Sequence, residues 1–251
     1  MKKITVFGLL LFLPLQALLA QQEFEFKKTT SVSGAQKGTV KLEIPAGELQ
    51  VKADGASLMD AQVQYTRAAW LPVFTSNNSK TEPEVSIRQK EMSDNNGKSA
   101  KNAWHISLSK STPIDLYIKM GAGQSTLDLQ NSHIKKLTMD AGAVGSDIDL
   151  RGSKVSDVTV NAGVGEVNLD LRGNWDHDVD VDVSGGIGDV RIRVPKGTGV
   201  RVKSSGMGSR NMDGLQKEGN AYVNAALGKS KHVIDITVAG GLGSISVLQD
   251  K

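Results

Sequence analysis

The sequence predicts an all-β fold: a β-solenoid of stacked two-strand rungs with glycine bends, preceded by an N-terminal β cap. Three observations lead there. A glycine-centred bend recurs at nearly constant intervals, alternating apolar positions flank each bend, and no segment between bends has the length or 3.6-residue period of a crossover helix. Low aromatic content (4%) with 27 Gly and only 6 Pro fits thin, tightly turned β-structure better than a helix-packed enzyme core.

In chain order, residues 1–20 read as a signal peptide. Lys2 and Lys3 precede an apolar run from Ile4 to Ala20, and Gln21-Gln22 follows, which is the charged, apolar, then small-residue layout of a secretory leader. Cleavage is expected after Ala20. Pro14 and Gln16 interrupt the run, so no stable transmembrane anchor is expected after cleavage, and the product is expected to be exported to the periplasm or the cell surface.

Residues 21–109 are expected to form the cap. Val40, Leu42 and Ile44, the turn Pro45-Ala46-Gly47, then Leu49 and Val51 make one strand-bend-strand unit. Ala61, Val63 and Tyr65 suggest a further strand, Val85 with Ile87 a short one, and Trp104, Ile106 and Leu108 resume the alternation. The polar tracts Thr75 to Pro83 and Lys90 to Asn102 read as loops. Such a cap would cover the open end of a solenoid, whose unpaired backbone otherwise invites aggregation.

Residues 110–251 carry the repeat. Its bends are Met120-Gly121-Ala122-Gly123, Ala141-Gly142-Ala143-Val144, Ala162-Gly163-Val164-Gly165, Gly185-Gly186-Ile187-Gly188, Ser205-Gly206-Met207-Gly208 and Gly240-Gly241-Leu242-Gly243. Successive intervals are 21, 21, 23, 20 and 35 residues, and the last could hold one further rung plus a loop. After the bend, Leu127 and Leu129, Ile148 and Leu150, Leu169 and Leu171, and Ile192 and Val194 mark one inward face; Asp128, Asp149, Asp170 and Arg193 lie between them and point to water. Before it, Leu116 and Ile118, Leu137 and Met139, Val158 and Val160, Val181 and Val183, and Ile236 and Val238 repeat the pattern. Two strands and two bends use about 20 residues, so successive copies are expected to stack directly. The copy at Gly206 breaks phase, because Arg201, Lys203, Arg210 and Asp213 do not fit the columns. A sandwich of antiparallel hairpins is the competing geometry, since such bends also join hairpin strands.

Composition narrows function. With Lys2 and Lys3 removed, 28 basic residues oppose 27 acidic ones, too even a balance for a nucleic-acid footprint. Zero Cys excludes disulfides, thiolate metal sites, a Cys nucleophile and a lipid-modified cysteine.

The segment Leu42-Glu43-Ile44-Pro45-Ala46-Gly47-Glu48-Leu49-Gln50-Val51, then Gly55-Ala56-Ser57-Leu58 and the glycine-bend repeats, resembles bacterial toast-rack proteins. These are adhesin-like envelope domains related to the soluble C-terminal part of LiaF-type cell-wall stress proteins. The resemblance covers roughly residues 39 to 248, implies the fold, and supplies no catalytic residues to carry over.

Candidate chemistry is sparse. Asp176, Asp178, Asp180 and Asp182 alternate and could offer oxygens to Ca²⁺, but same-face neighbours on a strand stand about 6.6–7 Å apart; the alternative is a solvated face balanced by Arg172, Arg191 and Arg193. Gly185-Gly186-Ile187-Gly188-Asp189 approaches a calcium-roll turn with its Asp one residue early. His105, His133, His177 and His232 show no zinc spacing, and no Ser sits in a nucleophile elbow. No catalytic, cofactor or metal residue is therefore assigned. The expectation is a secreted, non-enzymatic envelope protein, an adhesin-like or stress-related interaction scaffold whose partner is an envelope protein or glycan. The alternative is a parallel β-helix enzyme acting on polysaccharide, with Asp178, Asp180, Asp182, Arg191 and Arg193 as the residues to test and Trp70, Trp104 and Trp175 as sugar platforms.

Overall fold

The structure is a computed structural model and describes residues 22–32, 34–77, 79–90 and 100–250. The leader expected at residues 1–20 lies outside the described residues. Eighteen strands follow in order: β1 (Phe24–Thr30), β2 (Gly38–Gly55), β3 (Met59–Tyr65), β4 (Val73–Ser76), β5 (Glu84–Arg88), β6 (Asn102–Ser109), β7 (Ile114–Asp128), β8 (Ile134–Asp149), β9 (Asp157–Val164), β10 (Val167–Asp170), β11 (Val179–Ile187), β12 (Val190–Val194), β13 (Gly199–Gly206), β14 (Ser209–Asp213), β15 (Gln216–Glu218), β16 (Ala221–Val223), β17 (Val233–Leu242) and β18 (Ser244–Gln249). A single 3₁₀ turn, Ala68–Trp70, is the one helical element among the described residues. No helix there is long and apolar enough to cross a membrane.

Each rung is one chain segment bent at its glycines into two limbs. On the first limb the parallel order is β5, β2, β7, β8, β9, β11, β17, β13. On the second it is β6, β2, β7, β8, β10, β12, β18, β14. Parallel pairing in register settles the choice between solenoid and hairpin sandwich. Leu127, Ile148, Leu169 and Ile192 are direct partners from rung to rung, and all four are buried. Leu116, Leu137, Val158, Val181 and Ile236 do the same on the first limb, and both limbs feed one core. Period-two alternation is what makes this work, because every inward side chain then lands on another inward side chain.

Two features depart from direct succession. The unit from Thr39 to Ala53 is a full rung, with β2 paired to β7 along both limbs, so the pairing runs unbroken across residue 110. At the other end the last rung in sequence is not the last in space: β17 and β18 lie between β11/β12 and β13/β14. The 35-residue interval holds no further rung, only the β15–β16 hairpin and a loop.

Side chains explain the exchange. β17 and β18 present a full apolar set, Ile234, Ile236, Val238, Ile245 and Val247, all buried. In β13 and β14 the partners of Val238 and Ile245 are Ser204 and Arg210. A rung with an arginine in an inward column suits only the end of the stack, where its charge reaches water and also discourages edge pairing. The bend there is one residue shorter: Gly206 pairs with Gly240 and Ser209 with Ser244. Buried Asn224 ties the excursion down, donating from Nδ2 to Thr198 O (2.8 Å) and accepting at Oδ1 from Val200 N (3.0 Å) and Leu227 N (3.1 Å).

The bend glycines are needed for two reasons. Where φ is positive, as at Gly188 (+133°), an L side chain is strained. At Gly186 the reason is proximity: a Cβ there would lie 2.3 Å from Gly163 O of the neighbouring rung. The first end of the stack closes with a buried polar knot, in which Asn102 Nδ2 donates to Ala46 O (2.5 Å) and Gln89 Oε1 (2.7 Å) while Trp104 Nε1 donates to Asn102 Oδ1 (3.1 Å).

Candidate functional site

The outward face of the second limb carries an ordered set of polar groups. One column runs Gln50, Thr126, Asp147, Asn168, Arg191, and the next runs Lys52, Asp128, Asp149, Asp170, Arg193, each residue paired to the next in register. Successive members stand about 4.8 Å apart, the spacing of hydrogen-bonded strands. An open groove of about 450 Å³ lies over Thr126, Asp147, Asn168, Arg191 and their neighbours. A second, of about 360 Å³, covers Gln50, Lys52, Asp54 and His105 on the same limb.

The carboxylates are held by arginines two residues later. Arg151 grips Asp149 through Nε (2.9 Å) and Nη2 (2.6 Å), and Arg172 grips Asp170 in the same way (3.0 and 2.7 Å). Both pairs come from the repeated string Asp-Leu-Arg-Gly at 149–152 and 170–173, where Leu150 and Leu171 point inward and the flanking pair outward. Burial pushes the Asp170 carboxyl up, but the Arg172 guanidinium outweighs it and holds the group below its ordinary value. Arg191 donates to Glu166 (2.6 Å) and Asn168 (2.8 Å), and Asn168 donates to Asp147 (2.9 Å). Asp128, Asp147, Asp149 and Asp170 are thus interleaved with Arg151, Arg172, Arg191 and Arg193, and the face has many hydrogen-bonding groups with little net charge.

The residues singled out in the sequence are divided by the bend. Asp180 and Asp182 lie on the first limb, between Asp157 and Asp235 and between Thr159 and Thr237. Arg191 and Arg193 are on the second limb, past Gly186 and Gly188, so the structure does not bring these two sets together. The counter-charges in the Asp180 column are instead Lys136, which pairs in register with Asp157, and Arg201, bonded to Asp235 at 2.8 Å. Asp178 accepts from Val233 N (2.9 Å), which lowers its pKa, and stands 3.4 Å from His232 Nδ1. Asp176 pairs with Lys154 (2.5 Å) and His177 (2.7 Å), which hold it well below the usual carboxylate range. Asp189 of the near calcium-roll turn accepts from the Ser244 hydroxyl (2.6 Å) and amide (2.9 Å). Among the described residues no three carboxylates or imidazoles converge as a metal would need. Trp104 is buried in the core, Trp175 donates to Leu171 O (2.7 Å) and Trp70 is buried, so none offers its face to a sugar. The Asp-Arg pairs were the part of this surface that residue-type reasoning passed over; the recurring Asp-Leu-Arg-Gly string was the available signal.

The family model described as the N-terminal domain of toast_rack, DUF2154, matches residues 19–158 and 140–193. The chain belongs to the toast-rack family. The toast-rack chain is also similar to a crystal structure from Clostridium sporogenes, provisionally described as a cell adhesion protein, with 26% identity and a TM-score of 0.70 over 91% of this chain and 100% of that one. A Bacteroides fragilis structure provisionally described as an adhesin shares 14% identity at a TM-score of 0.41, covering 91% of this chain and 98% of its own. One from Parabacteroides merdae, described in the same way, shares 10% identity at 0.31, covering 92% and 98%. No curated protein matches the chain.

Proposed function

We propose that this toast-rack protein is exported by its leader (residues 1–20) to the periplasm or cell surface and acts there, without catalysis, as an adhesin-like interaction scaffold. In this reading residues 21–109 cap the first end of the stack and, through the β2 rung with Gln50 and Lys52, begin the recognition surface that residues 110–251 continue. The observation that carries it is the second-limb ladder, where carboxylates, amides and guanidiniums recur once per rung on a rigid sheet. Most of these groups already satisfy one another, which leaves a face suited to binding rather than to proton transfer. A partner that itself repeats, such as a glycan chain, can engage such a ladder at several rungs. The description of the Clostridium sporogenes relative as a cell adhesion protein agrees with this role.

The test is binding of the exported protein to envelope glycan fractions, beside the variant Asp149→Asn/Asp170→Asn and a turnover screen on the same fractions. Retention that falls in the variant supports the reading. Release of new reducing ends or unsaturated sugars, abolished by one carboxylate substitution, would replace it with a polysaccharide-cleaving enzyme. Capture of an envelope protein in place of glycan would keep the scaffold and change its partner.

A further inference from the structure

Large aliphatic side chains are exposed in one place above all others. Val164 (50%), Ile187 (54%), Leu242 (57%) and Met207 (83%) sit at the bends of the last four rungs in space. Val164 pairs with Ile187 and Ile187 with Leu242, while Met207 lies beside them on the end rung. In the earlier rungs the same position holds Ala46, Ala122 and Ala143. The ridge therefore rises along the stack at one aliphatic side chain per rung. It does no work for the core, since these side chains point away from it, and contiguous exposed apolar surface marks an interaction site.

Immediately beside the ridge runs a track of glycines and alanines, edged on its far side by Lys119, Asp140, Asn161 and Ser184. A groove of about 610 Å³ has as its floor Gly121, Gly142, Gly163 and Gly186 with Ala141 and Ala162, and Ala239, Gly240 and Gly241 continue it in the next rung. Ridge and track share the rung spacing because both are built from the same bends. A surface that fits the ridge in register needs gaps at that spacing, and this molecule carries one.

We propose that the ridge is the contact of a homodimer, in which two copies lie side by side with their stacks parallel and each ridge rests on the other's glycine track. A two-fold axis running along the stack produces this arrangement, which makes the contact self-complementary. The same operation sets Glu166 opposite the partner's Asn161 and Asp189 opposite the partner's Ser184, so beside the ridge carboxylates meet hydrogen-bond donors; at the first end of the stack it sets Glu48 opposite the partner's Glu43, which confines the contact to the ridge-bearing rungs. An anionic bilayer is a poorer fit, because Glu166 and Asp189 flank the ridge. The contact is narrow, so the dimer is weak, with a dissociation constant between about 1 µM and about 1 mM. The inference is independent of what the second-limb ladder binds.

The exported protein should show a concentration-dependent monomer–dimer equilibrium in sedimentation, and Ile187→Glu/Leu242→Glu should weaken it about tenfold or more while leaving the circular dichroism spectrum unchanged. The chain contains no Cys, so single-cysteine reporters are clean. Ile187→Cys should form a disulfide with itself on oxidation. Mixed with Ala122→Cys it should form no hetero-crosslink, since three rungs place those positions about 14 Å apart, beyond disulfide reach. A monomer at every concentration, an association unmoved by the double substitution, or preferential 187–122 crosslinking would each overturn the proposal. So would monomeric cosedimentation with phosphatidylglycerol–phosphatidylethanolamine vesicles that the double substitution abolishes.

Discussion

Substituting Gly186 by Ala isolates the backbone contact between rungs. Its new Cβ would meet Gly163 O at 2.3 Å and Gly163 C at 3.2 Å, both backbone atoms that cannot rotate away. To reach ordinary contact the rungs must part by about 1 Å, a large fraction of the slack in a ~4.8 Å ladder. Overpacking of this kind costs about 1–3 kcal/mol, and one stretched ladder hydrogen bond adds about 1 kcal/mol, so a loss of about 2–4 kcal/mol is expected. Gly188→Ala adds the strain of φ +133° to a clash of 1.9 Å with Gly165 O and should cost more. Two controls separate the causes. Gly219 has φ +59° and nothing within 4 Å of a Cβ, so Gly219→Ala should cost about 1 kcal/mol. Gly197 has open space and no positive φ, so Gly197→Ala should be neutral or stabilising by up to about 1 kcal/mol. Urea titration followed by the emission of Trp104 and Trp175 gives the midpoints. A Gly186→Ala midpoint equal to that of Gly197→Ala would refute the close-approach argument.

Two further outcomes follow from particular residues. Asn102→Ala removes the hub that serves Ala46 O, Gln89 and Trp104 Nε1 in a buried setting; unsatisfied groups there should cost about 2–4 kcal/mol in urea, and an unchanged midpoint would mean that water replaces the amide. Asp170, with its pKa lowered, contributes stability that is present above the unfolded carboxyl value of about 4 and is lost as pH falls through the lower folded value. The stability gap between the protein and Asp170→Asn should therefore narrow on acidification below about pH 4, and a gap independent of pH would contradict the Arg172 pairing.

Much of the architecture was legible because strand periodicity and glycine spacing are local. Leu127, Ile148, Leu169 and Ile192 could be placed in one column from their offsets after each bend, and they pair in that column. Glycine's two roles at the bends were only half legible. Positive φ is a property of one residue, whereas the demand at Gly186 comes from a carbonyl on another rung. For the site, Asp149-Leu150-Arg151 and Asp170-Leu171-Arg172 were visible as text, but their meaning as a charge-balanced ladder needed the sheet beneath them.

By itself, then, the sequence determined that the chain folds into bent rungs, which faces of those rungs are apolar, and where each one turns, because these depend on residues within a few positions of one another. Only the tertiary structure decided the order of the rungs. It placed β17/β18 inside β13/β14, put Asp180 and Arg191 on opposite limbs, and lined Val164, Ile187 and Leu242 into a ridge. The physical reason is that parallel rungs of like period can stack in more than one order, and the choice falls to whichever order buries Ile236, Val238 and Ile245 and leaves Arg210 at the end.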